Sequence, residues 1–371
     1  MTKIKILYLV STLKKCGPIN ILYGIIKGLD KHQFDIYIAC LSKENKASMQ
    51  VKFETLGSNV IGLNNSRLRG VFKNKEMIES IIAKKHIDIV HSHGLRPDMI
   101  NAQLKDVLRF TTIHNFPDED YILQFGQIKG SIMAQKHKKA ISVIENRMAC
   151  SEYIGSKFLS TYGILSQCIQ NGIDLSSFAK NVEFSKETKR KDLGLAAGKK
   201  IFLVSGSLIK RKDPVTIIKA FKQLNQDENC LVFIGTGKLE KTLKTAYSSD
   251  SIIFKGAVNK VTDFLWASDY FLSASISEGL PNSVLEAMYT GLPVLLSDIS
   301  SHKEIVGDDY PLLFKTTKVA DLKEKMVDMI KGLHESSWTS HSDLIEKKFS
   351  AMAMSMNYTK KYQDQCRSLV K

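Results

Sequence analysis

The chain has 371 residues, 43% of them hydrophobic and 25% charged, too long for one ordinary core and suited to two soluble globular domains. Its net charge is +15, most of it in residues 1–180, where 25 basic side chains face 15 acidic ones. No apolar stretch approaches the roughly 18–20 residues of a membrane-spanning helix, nothing repeats at a short period, and no nucleic-acid motif or zinc-finger spacing accompanies the charge. No nucleic-acid partner is therefore expected, and an anionic membrane surface suits the basic face better.

Residues 4–13 follow a basic start, as a signal peptide would. Lys5 interrupts that run, Lys14 and Lys15 follow it, and no small-residue cleavage site appears, so it reads as a first strand. Further strand-like runs fall at 34–41, 59–63, 88–91, 110–114 and 148–151. Between them lie helix-like stretches such as 19–29, 75–85 and 129–143. Several runs are apolar on both faces, as parallel strands between helix layers must be. This alternation predicts a doubly wound α/β domain.

Turn chemistry at Gln170-Asn171-Gly172-Ile173-Asp174 breaks the pattern, and a charged stretch follows to Asp192. The expected domains are therefore 1–180 and 181–354. Strands restart at 201–206, 230–235, 252–255, 270–275 and 293–297, a second α/β domain. The tail from 342 reads as one or two helices, with Phe349, Met352, Met356 and Tyr362 as a buried face. Six cysteines lie outside any CxxC pair and read as free thiols of a cytoplasmic protein. Ligands of open α/β sheets bind at the carboxyl ends of the strands, so two such domains predict a ligand held in a cleft between them.

Two loops carry the chemistry. The strand at 270–275 runs into Ser277-Glu278-Gly279-Leu280-Pro281, and Asn282 or Ser283 is placed to cap a helix through Met288. Backbone N–H groups at a helix start favour an anion such as a diphosphate. Gly279 lets the backbone approach a ligand, and Glu278 and Glu286 are carboxylates able to accept from sugar hydroxyls. The second loop, Ser205-Gly206-Ser207-Leu208-Ile209-Lys210-Arg211-Lys212-Asp213-Pro214, combines glycine, a basic cluster and a helix start, which again suits a diphosphate.

Glu278 and Glu286, set in S-E-G-L-P-N-S-V-L-E-A-M, resemble the E-x7-E element of retaining nucleotide-sugar glycosyltransferases of family 4. Gly291-Leu292-Pro293-Val294 and Glu304-Ile305-Val306 also match that family. The resemblance implies the GT-B fold, two Rossmann-like domains facing across a cleft, with the C-terminal helix, 355–371, packed back on the first. It assigns Glu278, Gly279 and Leu280 to the donor sugar and phosphates and Glu286 to the ribose. Pro281, Asn282 and Ser283 complete that donor segment. Lys212 matches the family's lysine on the leaving diphosphate, but Ser207 stands where an arginine is usual. Arg211 or Lys210 could replace it. Lys255-Gly256-Ala257-Val258 resembles the loop against the nucleobase, and Gly235-Thr236-Gly237 a turn near the nucleotide.

In the first domain, Cys16-Gly17-Pro18 is similar to the family's glycine loop, with its second glycine absent and Asn20 close behind. Thr112-Ile113-His114-Asn115 resembles the segment whose histidine points at the reaction centre, and His91-Ser92-His93 an acceptor-side segment. The resemblance thus gives Glu278, His114 and Lys212 catalytic roles and places His93 and Asn115 on the acceptor side. Asp118-Glu119-Asp120 formally matches the metal-binding DxD of the other major glycosyltransferase fold, but reads here as a solvated or acceptor-side loop. No metal and no cofactor are expected. Lys129, Lys136, His137, Lys138 and Lys139, beside Ile128, Ile132, Met133 and Ile141, form a basic amphipathic helix able to rest on anionic lipid.

The function implied is transfer of a hexose or N-acetylhexosamine, from a UDP-sugar, to a lipid-linked saccharide in bacterial surface-polysaccharide synthesis. The protein would be cytoplasmic and peripheral to the inner membrane face. A nucleotide-sugar epimerase and a catalytically degenerate partner protein are the alternatives.

Overall fold

The computed structural model describes residues 3–45, 48–65, 67–178, 185–333, 335 and 342–368. The chain divides into two compact units, residues 1–173 with 348–371, and residues 174–347.

The first unit is built on seven parallel strands: β1 (Ile4–Val10), β2 (Phe34–Cys40), β3 (Asn59–Gly62), β4 (Ile89–His93), β5 (Leu108–Ile113), β6 (Asn146–Ala149) and β7 (Gln167–Cys168). They lie in the order β3-β2-β1-β4-β5-β6-β7. In β1, Ile6, Tyr8 and Val10 join one core cluster, with Leu22 and Ile25 of helix Gly17–Gly28. Leu7 and Leu9, on the opposite face, join another with Ile78, Ile87 and Leu104. Side chains alternate across a strand, so a run without polar residues is what a sheet covered on both faces requires.

The C-terminal helix Ala351–Ser368 belongs to this unit and packs on helix Gly17–Gly28. Gly24 and Gly28, one helical turn apart, admit it. A Cβ on Gly28 would lie 2.6 Å from Ser355 Cβ, and one on Gly24 would lie 3.1 Å from Ala351 Cβ. Phe349 and Tyr362 are buried as expected, but Met352 and Met356 are exposed, at 60% and 64%. The buried row is Met354, Tyr358 and Tyr362. A tyrosine hydroxyl is costly to bury alone, and both find partners. Tyr358 Oη lies 2.8 Å from Thr112 Oγ1, and Tyr362 Oη lies 2.6 Å from His91 Nδ1 and 3.1 Å from Tyr8 Oη. The two chain passages at 173 and 349–351 are tied by reciprocal backbone bonds, Ile173 N to Phe349 O and Ala351 N to Ile173 O, each 2.8 Å.

The second unit has six parallel strands: β8 (Lys200–Ser205), β9 (Asn229–Ile234), β10 (Ile252–Phe254), β11 (Tyr270–Ser273), β12 (Val294–Ser297) and β13 (Leu313–Phe314). Their order is β10-β9-β8-β11-β12-β13. Each sheet reverses its winding once, at β1/β4 in the first unit and at β8/β11 in the second. Such a switch point is where open α/β sheets bind ligands, outside the carboxyl ends of the strands. The loops after β8 and β11 are the two segments singled out above for diphosphate chemistry. Among the described residues no helix is long and apolar enough to cross a membrane.

Candidate active site

In the second unit, β8 ends at Ser205 and Gly206 turns the chain at φ +144°, a value side-chain-bearing residues rarely adopt. Leu208 is buried and anchors the loop, while Ser207 and Lys210 are exposed. Lys210–Lys212 form one 3-10 turn. Asp213 then caps helix Pro214–Phe221, accepting from Thr216 N at 3.3 Å and from Thr216 Oγ1 at 2.6 Å. The basic turn is thus fixed at both ends.

The continuation of β11 runs beside this turn, where Ile276 N donates to Arg211 O at 2.8 Å. Glu278 is buried at 6% exposure. Its Oε1 lies 2.5 Å from Lys212 Nζ and accepts from Ser275 Oγ at 2.8 Å, and its Oε2 lies 2.6 Å from Arg211 NH1. Burial alone would push this carboxyl up. Arg211, Lys212 and the hydrogen bonds from Lys212 and Ser275 outweigh it and hold Glu278 far below the usual carboxylate range. Arg211 also donates to the Ser277 carbonyl at 2.6 Å. Of the two residues able to replace the arginine missing at Ser207, Arg211 is therefore the one in the site, turned onto Glu278.

Gly279, Leu280 and Pro281 are buried behind Glu278, and Asn282, Ser283 and Glu286 are half-buried. Helix Asn282–Tyr289 begins at Pro281 as its N-cap and has no side-chain cap. The expected capping by Asn282 or Ser283 does not occur, because Pro281, at φ −79° and ψ 107°, takes the extended cap position and makes Asn282 the first helical residue. A helix start without a side-chain cap remains open to an anionic ligand.

The neighbouring turn glycines have steric reasons to be glycine. A Cβ on Gly235 would lie 2.0 Å from Gly206 O, and one on Gly237 would lie 2.3 Å from Leu208 O. Gly235 N donates to Gly256 O at 2.7 Å, so the turns after β8, β9 and β10 stand side by side. Val258 is half-buried on the last of them.

In the first unit, Gly17 opens helix Gly17–Gly28 behind the N-cap Cys16, and nothing lies within 4 Å of where its Cβ would be. Asn20 is half-buried in the helix's first turn. At the ends of β4 and β5, His93 Nδ1 and His114 Nε2 lie 2.9 Å apart, their rings stacked at 5.2 Å. Both imidazoles are kept neutral mainly by burial, which takes His114 down to about 4 and His93 well below its ordinary value. His93 Nε2 is buried without a partner among the described residues. Asn115 follows, half-buried. His91 turns the other way into the core, between Tyr362 and Thr112.

Two sequence expectations change here. Asp118, Glu119 and Asp120 form the first turn of helix Pro117–Phe125 instead of a loop. Pro117 and three acids suit a helix start, and Asp118 and Glu119 are engaged by Tyr162 and Lys157. His137 does not share the surface with its lysine neighbours. It is buried between Asp98 Oδ2 at 2.6 Å and Tyr121 Oη at 2.8 Å. Ile141 is buried too, while Ile128 (81%) and Ile132 (50%) remain exposed beside Lys129, Lys136 and Lys139. Among the described residues no group of three His, Cys, Asp or Glu side chains is placed to hold a metal ion.

Two Rossmann-like units, each with ligand-facing loops at its switch point, define the GT-B class of glycosyltransferase. Residues 19–177 match the family described as Glycosyltransferase Family 4, and residues 185–340 match Glycosyl transferases group 1. Together the two matches span most of the chain and make it a glycosyltransferase with a Glycosyltransferase Family 4 domain followed by a Glycosyl transferases group 1 domain. It is 25% identical over 379 residues to the O-antigen biosynthesis glycosyltransferase WclY of Escherichia coli, covering 99% of this chain and 100% of that protein. It is 28% identical over 246 residues to the UDP-Gal:alpha-D-GlcNAc-diphosphoundecaprenol alpha-1,3-galactosyltransferase of Escherichia coli, covering 62% of each. The fold superposes on Anabaena Alr3699/HepE in complex with UDP and glucose with a TM-score of 0.81 at 14% identity, over 97% of this chain and 100% of that one.

Proposed function

We propose that this glycosyltransferase moves a hexose or N-acetylhexosamine from a UDP-sugar to a lipid-linked saccharide, with retention at the anomeric carbon, in the assembly of a surface polysaccharide such as O-antigen or capsule. The observation that carries the reading is the buried Glu278, ionised among Lys212, Arg211 and Ser275 at the β8/β11 switch point. Glu278 accepts from hydroxyls of the donor sugar, and Glu286 from the ribose. Negative charge grows on the leaving diphosphate as the glycosidic bond breaks. Lys212 and the start of helix Asn282–Tyr289 stabilise it there, in place of a divalent ion. In the first unit, neutral His114 and His93 use one ring nitrogen each on one another, which leaves one acceptor and one donor nitrogen between them to orient sugar hydroxyls.

The named substrates of the galactosyltransferase relative support a UDP-sugar and a diphosphoundecaprenol-linked acceptor. The UDP bound to the HepE structure agrees with the nucleotide. Exposed Ile128 and Ile132 among lysines support docking on an anionic membrane. The test is transfer from labelled UDP-glucose, UDP-galactose and UDP-N-acetylglucosamine to lipid-linked saccharides, read by mass spectrometry, with the anomeric configuration read by NMR. Loss of transfer in Lys212→Ala and retention of configuration support the reading. Unchanged turnover in Lys212→Ala, or an inverted product, defeats it.

A further inference from the structure

We infer that His302 is a positioning residue for Glu278, acting through Ser273, Ser297 and Ser275 to fix the carboxylate that the proposed function places on the donor sugar. The inference rests on that reading of Glu278 and extends it to a fully buried histidine.

His302 lies in helix Ser300–Val306, just after β12, and is fully buried. Its Nδ1 sits 2.8 Å from the Ser297 carbonyl oxygen. A carbonyl only accepts, so Nδ1 carries the proton. Burial keeps the imidazole neutral, taking it down to about 4 against weaker opposing effects of the Ser297 hydrogen bond and Glu278. Nε2 is therefore a lone pair, and the Ser273 hydroxyl, 3.2 Å away, donates to it.

Two threads lead from there to Ser275. Ser297 Oγ, itself 3.1 Å from His302 Nδ1, donates to the Ser275 carbonyl at 2.6 Å. That bond fixes the backbone three residues before Glu278. Ser275 Oγ then donates to Glu278 Oε1 at 2.8 Å. Ser273 Oγ lies 3.3 Å from Ser275 Oγ, where it can donate to Ser275 or accept its proton in competition with Glu278. With the Ser273 proton committed to His302, Ser273 can meet Ser275 only as an acceptor, and the charged Glu278 carboxylate at 2.8 Å is the stronger acceptor for the Ser275 proton. The imidazole thus holds the side chains of Ser273 and Ser297, and through Ser297 the backbone of Ser275, at the ends of β11 and β12. A neutral amide with one donor and one acceptor can reproduce this pattern, and an alkyl group cannot.

The experiment measures binding of UDP and of UDP-glucose, UDP-galactose and UDP-N-acetylglucosamine by calorimetry, for the wild type and four variants. The readout is the ratio of UDP to UDP-sugar dissociation constants, which isolates the sugar's contribution. In His302→Leu the ratio is expected to fall about fivefold, the value of one well-made hydrogen bond, while UDP affinity stays within about twofold. His302→Gln should restore part of the ratio. Ser275→Ala, a small change that tests the last link even if His302→Leu does not fold, should lower the ratio like His302→Leu. An unchanged ratio in Ser275→Ala or in folded His302→Leu overturns the inference. So does an equal weakening of UDP and UDP-sugar, which marks general damage. Glu278→Gln separates the two levels. If it lowers the ratio and the His302 and Ser275 variants do not, the relay alone is wrong. If Glu278→Gln leaves the ratio intact, or no UDP-sugar binds the wild type better than UDP, the sugar reading of Glu278 fails and takes the relay with it.

Discussion

Replacing Glu278 with alanine should weaken transfer and strengthen the binding of bare UDP. Glu278 is 6% exposed and holds two cations, Lys212 at 2.5 Å and Arg211 at 2.6 Å. A diphosphate approaching Lys212 must share it with this carboxylate. Without Glu278, two positive groups remain in a site shielded from water, with the Ser277 carbonyl still accepting from Arg211. A hydrogen bond from a charged donor is worth about 1.5–3 kcal/mol, so one cation turning fully onto a phosphate should tighten UDP about tenfold. The contacts proposed for Glu278 with the sugar would be lost at the same time, and transfer should fall by about a hundredfold or more. Breaking a buried ion pair from one side costs about 3–5 kcal/mol, so the variant should melt earlier and recover more than the wild type when UDP is added. Calorimetry with UDP at low and high salt, beside initial rates with a labelled donor, reads all three effects. If UDP affinity falls in step with turnover, the two cations do not face the diphosphate and the charge argument is wrong.

Tyr362→Phe removes the partner of the buried His91 Nδ1 and should cost about 1–3 kcal/mol of stability, read from the urea midpoint. Gly28→Ala gains helix propensity of about 1 kcal/mol, yet its Cβ would lie 2.6 Å from that of Ser355. Overpacking should win, and a variant melting above the wild type would show that the C-terminal helix does not seat there. Acid should destabilise the protein before its carboxylates titrate. His91 and His302 are held neutral by burial, down to about 3 and about 4 from 6.5, so between pH 6.5 and those values the unfolded chain binds protons that the folded one does not. Stability from each is present above pH 6.5 and should fall by about 2 kcal/mol on going to pH 5. The melting temperature between pH 7 and 5 reads this, and His302→Gln should flatten part of the slope. A melting temperature constant over that range would contradict the buried, neutral assignment.

The two sheets were legible because their strands are apolar on both faces. β1 and β8 give a strong signal, whereas the two-residue β7 and β13 give none, since two residues carry no period. The loops at 205–214 and 273–286 were legible because glycine, charge and a helix start coincide at strand ends. Their internal geometry was not. Nothing local tells Arg211 to face Glu278 when Lys210 does not. That follows from the single turn Lys210–Lys212 and the bond from Ile276 N to Arg211 O, a contact between segments 65 residues apart in sequence. The C-terminal helix failed in a similar way. Met352 and Met356 form a helical stripe as apolar as Met354, Tyr358 and Tyr362, and the choice was made by His91 and Thr112, polar groups on distant strands that need the tyrosine hydroxyls. His302 left almost no signal, because its partners are serines, residues common in any loop.

Ser207 and Arg211 together redistribute charge within the site. A basic side chain at position 207 would extend from the exposed strand end, able to aim at a phosphate. A basic side chain at 211 leaves from a turn pinned to the Glu278 loop, and its guanidinium is held by both Ser277 and Glu278. The loop keeps its positive charge, but more of it is spent on holding the carboxylate than on the leaving group. In the proposed reading the diphosphate is then left with Lys212 and the start of helix Asn282–Tyr289, which has no side-chain cap. Lys212 is also a partner of Glu278, so in the same reading one ammonium group would serve both the sugar side and the phosphate side. Moving it toward the phosphates weakens its grip on Glu278 and frees lone pairs for the sugar. The proposed roles therefore predict that recognition of the two halves of the donor is coupled through Lys212, with Arg211 and Ser275 keeping the carboxylate in place while that exchange occurs.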